Sequence, residues 1–253
     1  MKSRTILRTV CCIALLLTCS KAAHAEDALG KLRRLADAGD PKAHYNLALY
    51  YDEGSHGLVR DPAEAVRRYR LAAESGLAEA QNNLGTMYEL GSGVQQDYAQ
   101  AASWYRKAAD QGLAIAQHNL GLAYHRGRGL PQDYKQAVVW YRKAAEQGLA
   151  AAQQILAAMY DVGKGTDRKP AEALYWYKAA AEQGDAIAQY VLGVMYQKGE
   201  GVKQDYVRAY AWLDQAASQD VEAARRSRDA AAASMTSGQL IEARHLSSKL
   251  VRH

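Results

Sequence analysis

The chain has 253 residues, 49% of them apolar, with 32 Lys and Arg against 27 Asp and Glu and a formal charge of +5. That is enough to bury a sizeable core. Its only cysteines are Cys11, Cys12 and Cys19, so past the amino terminus there is no disulfide, thiolate metal site or cysteine nucleophile.

Residues 1–25 have the parts of a secretory leader: a basic start (Lys2, Arg4, Arg8), an apolar run from Val10 to Leu17 too short to span a bilayer, and Ala23-His24-Ala25 as a small-x-small cleavage pattern. Cleavage after Ala25 would remove four basic residues, Lys21 included, leaving 28 basic against 27 acidic, or +1. The high pI then belongs to the leader and points to no nucleic-acid partner. The expected location is periplasmic. Leu16-Leu17-Thr18-Cys19 loosely resembles a lipoprotein processing site, with lipidation of Cys19 as the alternative.

Beyond the leader the sequence repeats. "WYRKAADQG" at 104–112 returns as "WYRKAAEQG" at 140–148 and "WYKAAAEQG" at 176–184, a period of 36. Such a period outranks any single motif. Anchored on Ala43, Ala80, Ala116, Ala152 and Ala188, the expected organisation is a half-repeat over 26–42 and repeats over 43–79, 80–115, 116–151, 152–187 and 188–222. In 223–253 the period is lost, and one or two capping helices are expected, with Ala223 the last anchor.

Each repeat reads as two helices. Ala80, Leu84, Met87 and Tyr88 fall at i, i+4, i+7 and i+8, an amphipathic stripe ended by Gly91-Ser92-Gly93. Ala101, Trp104, Tyr105 and Ala108 make a second stripe, closed by Gly112. The Tyr98 column holds Pro62 and Pro170 in other repeats, which fixes it as the first helical position, because proline is welcome only there. The preceding Asp becomes the N-cap, with Gln or Glu three residues on completing a capping box. A lone hairpin cannot bury both stripes, so copies must stack. Trp104, Trp140, Trp176 and Trp212, which are every tryptophan in the chain, are expected to fill the seams.

The pattern A-x3-L-G-x2-Y-x2-G-x-G-V-x2-D-Y-x2-A-x2-W-Y-x-K-A-A-x2-G resembles the Sel-1-like repeat, a relative of the tetratricopeptide repeat with a longer inter-helix loop. The resemblance covers roughly 31–223. It implies an all-α, right-handed α/α superhelical solenoid of helix-turn-helix repeats, and adaptor roles in assembling complexes. Local departures are an extra loop residue near Ser55-His56-Gly57, Arg68 in the Trp column, Lys169 in the cap column and Asp220 where a Gly is usual.

Catalytic signatures are missing. No HExxH, phosphate loop or G-x-S-x-G elbow occurs. Gly91-x-Gly93 recurs as a C-cap and turn rather than a phosphate cradle. His118 and His125 share a helix face, about 10 Å apart at ~1.5 Å per residue, too far to share a metal unaided. A metal site there would need Asp161 from the next repeat, and no cofactor or metal is expected. What remains is surface. On the first helices, three columns change from repeat to repeat: Tyr45, Asn82, His118, Gln154 and Tyr190; Leu49, Thr86, Leu122, Ala158 and Val194; Asp52, Glu89, His125, Asp161 and Gln197. Columns that build the fold must match, and these are free to differ. Leaving out Ala158, they are the expected contact residues of a groove for a protein or peptide partner, given the aromatic anchors. The expected function is a non-enzymatic scaffold without a transmembrane segment in the mature chain. The alternatives are β-lactam hydrolysis or penicillin binding, which the resemblance suggests through cysteine-rich exported relatives, and contact with an envelope polymer such as peptidoglycan.

Overall fold

A computed structural model describes residues 28–250; the expected leader over 1–25 and the lipidation alternative at Cys19 lie outside them. Among the described residues there are thirteen helices and no strand. Helix α1 covers 28–37. Paired helices follow: α2 Pro41–Glu53 with α3 Pro62–Glu74, α4 Ala78–Leu90 with α5 Tyr98–Asp110, α6 Ala114–Arg126 with α7 Tyr134–Glu146, α8 Ala150–Val162 with α9 Pro170–Glu182, and α10 Ala186–Lys198 with α11 Tyr206–Ser218. Then come α12 Glu222–Ala233 and α13 Ser237–Leu250. The architecture is thus the all-α helix-turn-helix repeat solenoid class. The chain divides after Ala108, within α5, into two compact units.

The chemistry of the caps sets where each helix begins. Asp61, Asp97 and Asp133 each accept two backbone N–H bonds from the first turn of their helix at 2.9–3.1 Å, and Asp205 accepts one at 2.9 Å. Lys169 offers none. The expected reciprocal half of the capping box does not form. The N-cap N–H instead donates to a carbonyl at the end of the preceding helix: Asp61 to Tyr51, Asp97 to Tyr88, Asp133 to Tyr124, Lys169 to Tyr160 and Asp205 to Tyr196. One bond thereby satisfies two groups that helix ends normally leave orphaned, and the N3 Gln or Glu is released to other work. A true capping box does form at Thr236 and Gln239, each bonding the other's backbone N–H, where α13 begins.

Close approach explains the second glycine of the inter-helix loop. A Cβ on Gly93 would lie 2.2 Å from the Pro62 carbonyl oxygen, and one on Gly165 would lie 2.3 Å from that of Tyr134. These two loops therefore rest on the start of the previous repeat's second helix.

The seam is tyrosine more than tryptophan. Tyr69, Tyr105, Tyr141 and Tyr177 are buried in column, with Leu213 taking the same place in the fifth repeat. Trp140 and Trp212 are buried as expected, but Trp104 and Trp176 are only half-buried. The reason is position: the residue after each Trp points at the small column of the first helix. A Cβ on Gly85 would meet the Tyr105 ring at 2.8 Å, and one on Gly121 the Tyr141 ring at 2.9 Å. The Ala-Ala pairs 72–73, 144–145 and 180–181 are likewise sealed.

A buried glutamine ladder adds direction to this packing. In the first unit Gln81 donates to the Ala73 carbonyl. In the second, Gln117, Gln153 and Gln189 donate to Ala109, Ala145 and Ala181. Their side-chain carbonyls accept from Gln147, Gln183 and Gln219 at 2.8–2.9 Å. An apolar seam can slide; a ladder of directional bonds fixes the register between neighbouring hairpins.

At the carboxyl end the anchor column continues further than expected. Ala224, not Ala223, is the buried anchor, 36 residues after Ala188. Helix α12 therefore occupies the place of a first helix in a further, degenerate unit. Helix α13 then packs on α11, where Gln215 donates to the carbonyl and hydroxyl of Ser247, and Ser247 donates to Asp214.

Candidate functional site

The three variable columns lie on the first helices. In the first unit, α2 carries Tyr45, Leu49 and Asp52, and α4 carries Asn82, Thr86 and Glu89. In the second, α6 carries His118, Leu122 and His125, α8 carries Gln154, Ala158 and Asp161, and α10 carries Tyr190, Val194 and Gln197. All are half-buried except Asn82, which is buried at 7% exposure and so is not available to a partner as it stands.

Their neighbours explain why they vary. The third column faces the buried tyrosine of its own repeat. In the first unit the Tyr105 hydroxyl donates to Glu89 Oε2 at 2.7 Å and lies 3.2 Å from the Thr86 hydroxyl. The Tyr69 hydroxyl accepts from Asn83, its ring tilts against Tyr45 at 5.9 Å, and Asp52 bears on it electrostatically. Burial pushes both phenols well above the ordinary tyrosine range, opposed by the hydrogen bonds to Asn83 and Thr86 and helped by Asp52 and Glu89. In the second unit burial and Asp161 push Tyr177 up to about 12. Part of the variation is thus local matching between a side chain and the phenol beneath it.

The third repeat differs. Its column residue is His125, whose ring lies 6.2 Å from Tyr141 and edge-on to Tyr134 at 5.3 Å, while His118 tilts against Tyr141 at 5.6 Å. The Tyr141 hydroxyl and the Nδ1 atoms of His118 and His125 are all buried without a hydrogen-bond partner. Burial lowers both imidazoles' proton affinity, reinforced at His118 by Arg126 and at His125 by Lys164 and Arg126. The sequence brought the two histidines to one face but not to a shared phenol, because the tyrosine comes from the other helix of the hairpin.

Sequence reasoning missed one further device. The backbone carbonyl of each third-column residue is covered by a loop side chain: Arg60 on Asp52, Gln96 on Glu89, Gln132 on His125, Arg168 on Asp161 and Gln204 on Gln197, at 2.7–2.9 Å. The signal was present as a long polar side chain recurring seven or eight residues after the column. Arg168 also places Nη2 3.7 Å from the Asp161 carboxylate. Chemically these faces offer phenols, imidazoles, carboxylates and apolar steps. Among the described residues no group of three or more His, Cys, Asp or Glu is placed to hold a metal ion. Nor is any described helix long and apolar enough to cross a membrane.

Helix pairs recur over five consecutive segments, 41–77, 78–113, 114–149, 150–185 and 186–221, the last four of them with a GxG loop and a register glutamine, and each segment matches the family profile of the Sel1 repeat. The chain belongs to the Sel1 repeat family. Among solved structures it is similar to a protective antigen of uropathogenic Escherichia coli with an SLR fold, at 37% identity and a TM-score of 0.78. That match covers 86% of this chain and 48% of the antigen, so the chain spans about half the antigen's length. A Sel1 repeat protein from Oxalobacter formigenes matches at 34% identity and a TM-score of 0.70, over 78% of this chain and 84% of its own. No curated protein matches the sequence.

Proposed function

We propose that this Sel1 repeat chain is a non-enzymatic scaffold that holds a protein or peptide partner on the first-helix face of its second unit. The observation that carries the reading is the contrast between columns. The seam column stays alanine from Ala116 through Ala152 to Ala188, all at 0% exposure. The adjacent half-buried column runs His118, Gln154, Tyr190. Half-buried tyrosine, histidine and leucine on a rigid helical face suit hot-spot contacts. The same faces carry no nucleophile with an adjacent base, which favours binding over turnover. The leader-like sequence of residues 1–25 supports action in the cell envelope.

A photo-crosslinking amino acid placed at Gln154, on this face, should trap a partner in the native envelope. The same group at Val139, exposed on second helix α7, should trap little. Equal trapping from both positions, or trapping from Val139 alone, overturns the reading.

A further inference from the structure

Across the repeats, a buried tyrosine of the second helix is matched by a carboxylate of the first. The pairs are Asp52 with Tyr69, Glu89 with Tyr105 and Asp161 with Tyr177. In the fifth repeat Gln197 replaces the acid, and there the tyrosine is Leu213, which has no hydroxyl to match. Only the third repeat keeps the phenol and loses the acid. His125 stands in the acid's place, and Tyr141, at 0% exposure, has no partner for its hydroxyl.

The charges acting on this spot are all positive. Arg126 at the end of α6 acts on His118, His125 and Tyr141, and Lys164, in the loop after α8, acts on His125. The Lys164 ammonium sits 4.2 Å above the Tyr134 ring, beside the same histidine. Three buried polar atoms without partners are a costly arrangement. Folds retain such groups where a ligand completes them.

We propose that His118, His125 and Tyr141 form a carboxylate-binding subsite that takes an acidic side chain of the partner peptide, with Arg126 and Lys164 supplying the balancing charge. This rests on the binding-scaffold reading above and specifies its chemistry. The partner's carboxylate supplies from outside what Glu89 supplies from within. Both imidazoles are half-buried with Nδ1 turned inward, so a turn of the ring is what presents Nδ1–H to an arriving carboxylate. Rotation of either ring then admits one oxygen to the Tyr141 hydroxyl, which donates to it. Such rotations are fast for partly exposed side chains.

The probe is a capped hexapeptide with a Glu-Glu centre, titrated into the full chain while the imidazole resonances are followed, against the same peptide with Gln-Gln. The acidic peptide should bind about tenfold tighter and shift the His118 and His125 signals, as befits a charge-assisted hydrogen bond. Tyr141→Phe should lose that tenfold preference. His125→Glu should also lose it, because the internal acid fills the socket, and should raise the melting temperature. Equal binding of the two peptides, or an acidic preference that survives His125→Glu, overturns the proposal. If Gln154 still traps its partner in that case, the scaffold reading stands and only the carboxylate subsite falls.

Discussion

A phenol sealed inside a hairpin must find an acceptor, and the four tyrosines of the seam column, Tyr69, Tyr105, Tyr141 and Tyr177, meet that demand unequally. Tyr105 is satisfied by Glu89 and Thr86, whereas the Tyr141 hydroxyl has no partner. Replacing each by phenylalanine separates the cases. Tyr105→Phe removes a charge-assisted bond and should destabilise its unit by about 1–2 kcal/mol. Tyr141→Phe removes an unsatisfied group and should be neutral or stabilising by up to ~1 kcal/mol, because deleting a polar group that bonds nothing costs nothing in lost bonds. Urea denaturation of the two variants, followed by far-UV circular dichroism, makes the comparison. Equal losses would mean that the Tyr141 hydroxyl is paired. The tyrosine column was legible in the sequence as part of an amphipathic stripe, but its rank over tryptophan was not. Periodicity marks a face of a helix, and one residue of rotation along that face decides whether Trp104 or Tyr105 meets the glycine opposite.

At the scale of the helix, the ends of the first helices and the starts of the second could be read in advance, because proline, aspartate and glycine each impose a definite backbone conformation, whereas α4, α6 and α8 begin after Leu77, Leu113 and Leu149, which offer no capping side chain. What could not be read was where the N-cap N–H goes, since its acceptor is a tyrosine carbonyl nine or ten residues back and leaves no trace in residue type. The ladder was hidden for a similar reason. Gln117 and Gln147 lie 30 residues apart, and only the stacked hairpins bring them together. Helix α9 provides a test of the cap chemistry. Its N-cap Lys169 has φ and ψ of −137° and 80° but no side-chain acceptor, and it places a cation where the helix dipole disfavours one. Lys169→Asp keeps the backbone and restores the acceptor found at Asp133 and Asp205. The Lys169 ammonium also sits 5.9 Å from the ring of buried Tyr160, at the outer limit of a cation–π contact and worth at most ~1 kcal/mol. A side-chain cap contributes about 1 kcal/mol and the dipole a few tenths more, so the variant should gain roughly 0.5–1 kcal/mol. An unchanged or lower thermal midpoint would show that the cation contact outweighs the cap.

For the whole molecule, the problem of a repeat stack is its ends, where the last hairpin has no successor to cover it. In the second unit the outer face of the second helices reaches solvent at Val139 and Tyr175, 44% and 64% exposed. The matching position in α11 is Ala211, at 0%. A small residue and a covering helix replace a large exposed one, and Gln215 is bonded to Ser247 of α13 instead of to water. Helix α12 covers the other side, with Ala224 and Ala231 fully buried. Ending the chain after Val221 would uncover Ala211, Gln215 and Leu213 while leaving all five matched repeats intact. Two buried hydrogen bonds at about 1 kcal/mol each, with apolar burial on top, amount to a few kcal/mol, or roughly 5–10 °C in melting temperature for a chain of this size. The truncated chain should also bind an apolar dye that the full chain does not. If it melts with the full chain and stays dark to the dye, then α12 and α13 are passengers on the stack, and the fifth repeat closes its own end.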